Sequence, residues 1–79
     1  MVSIGKISIR QVKAARALLS WSQDDLAEAA GISVPTVARL EAADGPLGGR
    51  TSTATAICEA LEKAGIEFSE DGVRLRSEA

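Results

Sequence analysis

The sequence predicts a mainly α fold, a small bundle of four helices followed by a C-terminal β-hairpin. Apolar residues recur at helical spacing in successive segments between residues 9 and 64, each entered through residues that suit a helix cap. After Gly65 the pattern changes to alternation around Asp71-Gly72. The 79 residues are read as a single domain (1–79), with 9–64 as the bundle and 66–76 as the hairpin. A chain of this size buries only about 60% of the surface its unfolded form exposes, so a partner subunit would help to stabilise it.

Ser8 followed by Gln11 has the form of a capping box, and Ile9, Val12, Ala15 and Leu19 then share one helical face, predicting a first helix over about 9 to 20. Trp21 lies just ahead of the next cap, where its indole can staple the first helix to the second. Ser22 is that cap, and the carboxylates of Asp24 and Asp25 suit the positive end of a helix that stops at Ala30. Gly31 supplies the positive φ of a sharp turn, and Ser33 caps a third helix over about 34 to 42. Pro35 fits its first turn, where a missing N–H has no intrahelical partner to lose.

A Gly/Pro loop, ADGPLGGR, leads to Thr51, Ser52 and Thr53, which offer caps for a fourth helix ending before Gly65. Ala54, Ile57, Leu61 and Ala64 form its buried stripe. With Asp71-Gly72 as a two-residue turn, Phe68 falls opposite Leu75 and Glu67 opposite Arg76. An isolated hairpin is marginal in water. It therefore packs on the helices, adds a strand from residues 2 to 7, or pairs with another subunit.

Composition narrows the function. Hydrophobic residues are 46% of the chain, but Phe and Trp occur once each and Tyr never, so the core is built from small and aliphatic side chains. A lone cysteine, Cys58, and no histidine exclude an internal disulfide and remove the usual ligands of a zinc site, which fits a reduced, cytoplasmic setting. Cys58 is expected to be a small core or boundary residue. No apolar run approaches the roughly 18 residues of a membrane span, so no membrane partner is expected. The net charge of −2 argues against a nonspecific polyanion binder coated in lysine. Distribution matters more: residues 1–23 carry Lys6, Arg10, Lys13 and Arg16 with no acid, whereas 59–72 carry Glu59, Glu62, Glu67, Glu70 and Asp71 against Lys63 alone.

Two apparent chemical motifs carry nothing. GPLGGRT lacks the lysine of a phosphate-binding loop and follows a helix instead of a strand. Asp24 and Asp25 are adjacent on a helix and point about 100° apart, so they do not form a catalytic pair. No enzyme activity, cofactor or metal is expected.

The run from Gln11 to Glu41, above all SQDDLAEAAGIS followed by TVARLE, resembles the Xre/Cro family of phage-repressor-like helix-turn-helix regulators, and the likeness extends over roughly residues 9–64. Leu26, Ala27, Gly31, Ile32, Val37 and Leu40 stand where that family has its small or apolar packing residues, and Gln23 stands at its second-helix start. The resemblance implies a lambda-repressor-like helical bundle whose third helix enters the major groove of double-stranded DNA. Val34, Pro35, Ala38 and Arg39 are then the base-contact candidates, and Gln23, Thr36, Arg50 and Thr51 the phosphate-contact candidates.

Each candidate has a plainer reading beside the functional one. Arg39 suits a bidentate contact with guanine O6 and N7, or forms a surface ion pair with Glu41 or Asp44. Val34 and Pro35 stand where many family members carry Gln, Arg or Lys; they suit thymine methyls or the docking of a protein partner. Gln23 and Thr36 contact phosphate or only cap their helices. The functional expectation is a cofactor-free, sequence-specific transcriptional regulator, a homodimeric repressor on a palindromic operator, with the fourth helix and hairpin as the dimer surface. The alternative is a protein-interaction module of antitoxin or antiactivator type, docking through Val34 and Pro35.

Overall fold

A computed structural model describes residues 7–76. In chain order they form α1 (Ile9–Leu19), α2 (Gln23–Ala30), α3 (Val34–Ala42), α4 (Thr51–Lys63), β1 (Ile66–Phe68) and β2 (Val73–Leu75).

Side-chain caps set the first three helix starts. The Ser8 hydroxyl accepts from the Gln11 N–H at 3.1 Å while Gln11 Oε1 accepts from the Ser8 N–H at 2.8 Å, completing the reciprocal box ahead of α1. Ser22 and Asp25 repeat that exchange at 3.1 and 2.9 Å ahead of α2. Ser33 accepts from the Thr36 N–H at 3.2 Å ahead of α3. The fourth start differs from the sequence-based expectation. Arg50 is the N-cap of α4 and its side chain makes no cap hydrogen bond; Thr51, Ser52 and Thr53 already lie within the helix.

The α2 helix packs against both α3 and α4, and the core forms where they meet. Leu26, Val37, Ile57 and Leu61 are fully buried there, with Ile7, Val12, Ala15 and Ala27. Trp21, Ile32 and Leu40 pack against its margin. Cys58 is also in the core; burial first, then the charges of Glu62 and Glu59, push its pKa up to about 11. The thiol is thereby held protonated at neutral pH.

The hairpin is antiparallel, with Ile66 opposite Leu75, Glu67 opposite Arg74 and Phe68 opposite Val73. This corrects the expected register, in which Phe68 met Leu75. Asp71-Gly72 is not a two-residue turn: the loop runs over 69–72, closed by Ser69 N–H to the Gly72 carbonyl at 2.9 Å and Gly72 N–H to the Ser69 hydroxyl at 3.1 Å. Because each residue's partner moves by two positions, the faces are preserved. Glu67 still meets an arginine, Arg74, at 3.3 Å, instead of Arg76.

Of the three fates open to the hairpin, packing on the helices is the one observed. β2 lies against α1 and β1 against α4, while residues 2–6 of the expected extra strand fall outside the described residues. A buried Gln11 amide fixes the turn, donating to the Ser69 carbonyl at 2.8 Å and the Gly72 carbonyl at 3.0 Å. Gln11→Ala is therefore expected to lower stability by about 1 kcal/mol and to expose the hairpin amides to faster hydrogen exchange than those of α2. Equal protection in both proteins would remove this role for Gln11.

The start of α1 also holds the loop that precedes α4. Ile9 N–H bonds the Gly45 carbonyl at 2.9 Å and Leu47 N–H bonds the Ile7 carbonyl at 2.8 Å. Among the described residues no helix is long and apolar enough to cross a membrane.

Candidate nucleic-acid interface

The turn between α2 and α3 rests on Gly31, whose φ of 72° lies in the left-handed region. There the Ile32 N–H reaches back to the Ala27 carbonyl at 3.0 Å, which closes the end of α2 and sets the angle at which α3 leaves. A Cβ at Gly31 would meet nothing within 4 Å, so the cost of Gly31→Ala is conformational alone, about 1 kcal/mol. Urea denaturation should show a lower midpoint with an unchanged slope; no shift would mean that the turn does not need glycine.

A buried polar network locks the two helices to α1. Arg16 donates through Nε and Nη2 to the Glu41 carboxylate at 2.7 and 2.6 Å, and through Nη1 to the Trp21 carbonyl at 2.8 Å. Gln23 Nε2 adds a bond to Glu41 Oε1 at 3.1 Å. The Glu41 side chain is only 4% exposed and that of Arg16 19%, so solvent screens the pair weakly. Burial alone would raise the Glu41 pKa, but the Arg16 and Gln23 hydrogen bonds and the charges of Arg16 and Lys13 outweigh it and hold the carboxyl below its usual range. Sequence reading missed this network, since nothing local pairs residues 25 positions apart.

The face of α3 turned from the core carries the base-contact candidates. Val34 is 37% exposed, Pro35 and Arg39 are exposed, and Ala38 is half-buried. The surface ion pair expected as the plain role of Arg39 is not formed. Glu41 is committed to Arg16, and Asp44 pairs with Arg10 at 3.3 Å. Arg39 has no ion-pair partner among the described residues.

A recess of about 320 Å³ lies between α3 and the start of α4, lined by Thr36, Arg39, Leu40, Gly49, Arg50 and Thr53. It brings Thr36, Arg39 and Arg50 together, with the exposed Thr51 opening the adjacent, uncapped helix. Arg39 and Arg50 put positive charge beside the amide-rich end of α4, an arrangement suited to anions. Thr36 has a local partner, its Oγ1 lying 2.7 Å from the Ser33 hydroxyl. Gln23 does not stand free in solvent, since its side chain is half-buried and turned to Glu41. On the other flank, Val34 borders a recess lined by Asp24, Asp25, Ala27, Glu28, Ile32 and Ser33.

The helix-turn-helix family model matches residues 12–65, a span running from α1 to the glycine after α4. No curated protein matches the chain.

Proposed function

The chain belongs to the family of Xre/Cro-like helix-turn-helix regulators, which bind DNA, and from that we propose that it is a sequence-specific dimeric repressor acting on a palindromic operator. The observation that carries this reading is Arg39, exposed on α3 with no ion-pair partner among the described residues and set beside Arg50. Arg39 reads guanine, while Val34, Pro35 and Ala38 meet thymine methyls in the major groove. Arg50, Thr36, Thr51 and Gln23 hold phosphates on either side. Two copies place their α3 helices in successive major grooves about 34 Å apart. The protein works without a cofactor, in the cytoplasm.

The dimer surface is α4 with the hairpin, where Leu75 is 42% exposed on a sheet that has two strands among the described residues. Removing the hairpin is a poor test, since it also removes Ile66 from the core. Leu75→Glu spares the core. It is expected to yield a folded monomer by sedimentation, with weaker operator binding; an unchanged dimer would place the interface elsewhere.

Salt titration tests the reading as a whole. The logarithm of duplex affinity should fall linearly with the logarithm of salt concentration. A second reading, a module docking a protein partner, draws support from exposed Val34 beside Asp24, Asp25 and Glu28, a surface suited to a basic, apolar segment. Absence of duplex binding at low salt would favour it.

A further inference from the structure

We propose that Glu41 is a positioning residue for DNA binding: it holds the Gln23 amide with its nitrogen inward, so that one N–H is anchored and the other is ready to donate to a backbone phosphate. This rests on the DNA-reading function proposed above. An ionised carboxylate only accepts hydrogen bonds, whereas a glutamine amide has an accepting and a donating end. The group facing Glu41 is therefore the NH2, at 3.1 Å, and the amide carbonyl is turned away. The second N–H has no partner among the described residues.

The anchor itself is fixed. Arg16 holds both Glu41 oxygens and also the Trp21 carbonyl, just ahead of the Ser22 cap. Three helices thus converge on one carboxylate: α1 through Arg16, α2 through Gln23 and α3 through Glu41 itself. A free surface glutamine would have to turn its NH2 to the phosphate, and would lose rotamer freedom on binding. Gln23, the first residue of α2, is already oriented. The network further ties α2 to the helix that reads bases, so phosphate and base contacts share one frame.

The test separates positioning from simple stabilisation. Replacing the ion pair by Arg16→Met with Glu41→Met keeps the volume and removes both charges, a change buried pairs often tolerate. Gln23→Ala is expected to weaken duplex binding about tenfold, as is the paired methionine variant, because the first removes the amide that makes the charge-assisted bond and the second removes the anchor that holds it in place. Adding Gln23→Ala to the methionine variant should then change affinity by no more than about twofold, against the roughly hundredfold total loss of independent effects. Additive losses overturn the inference, as does duplex binding by the parent chain that ignores Gln23→Ala. Failure of the parent chain to bind any duplex would instead overturn the DNA-reading function and the phosphate role with it. NMR of the free protein tests the anchor without DNA. The Gln23 proton bonded to Glu41 should exchange more slowly than its twin in the parent, and both at ordinary surface rates in the methionine variant; ordinary rates for both in the parent would overturn the anchoring.

Discussion

Glu41→Ala is expected to destabilise the protein by about 3 kcal/mol or more, because it leaves the Arg16 guanidinium with no counter-charge in a largely buried site. For a chain of this length the whole folding free energy is of the order of 4 to 12 kcal/mol, so the variant should lose roughly a quarter to three quarters of it. Urea denaturation followed by Trp21 fluorescence would measure it. The paired Arg16→Met, Glu41→Met variant should lie much closer to the parent, since it removes both charges together. If Glu41→Ala matched the parent, the network would be ornamental.

The same carboxyl sets an acid limit. Its folded-state pKa is held below the ordinary value by Arg16 and Gln23 against the opposing effect of burial, so the folded protein binds the proton less readily than the unfolded chain does. The ion pair's contribution is fully present above the unfolded carboxylate pKa and is lost as pH falls through the folded value. The stability gap between the parent and Glu41→Gln should stay constant from neutral pH down to the ordinary carboxylate range and shrink below it. A gap that does not change with acid would mean that Glu41 is uncharged in the fold.

Arg39→Ala is expected to cost about 1 to 3 kcal/mol in binding to the preferred duplex and to relax discrimination at one base pair per half-site. Arg39→Lys separates the two effects. Its charge should preserve nonspecific affinity, while loss of the bidentate fork removes the preference for guanine. Arg50→Ala should weaken all duplexes alike and reduce the salt slope by about one. Titration against the preferred site and its single-base variants, at one salt concentration, distinguishes these outcomes. Uniform weakening by Arg39→Ala would make Arg39 a phosphate contact.

The helices were legible because their signals are local. Ser8, Ser22 and Ser33 each cap through residues three positions ahead, and Gly31 announces its own turn, so α2 and α3 lie where the sequence places them. Apolar spacing likewise identified the core residues Val12 and Ala15, and the family resemblance identified Leu26 and Val37. Errors arose where distant contacts decide. The hairpin loop is held by Gln11 and Ser69, so Asp71-Gly72 alone misled the register by two residues while its alternation still gave the correct faces. Glu41 read as a surface partner for Arg39, but it is a buried partner of Arg16, a pairing visible only once α1 and α3 are packed. That pairing leaves Arg39 free of Glu41, and Asp44 is taken by Arg10.

Selection of bound duplexes from a random library at low, fixed salt asks whether the chain reads a DNA sequence. A sequence-reading dimer would enrich a two-fold motif with half-site centres about 10 base pairs apart and a guanine whose preference disappears with Arg39→Ala. No enrichment by the intact chain would contradict sequence reading and move Val34, Pro35 and their acidic flank to the centre of a protein-docking surface.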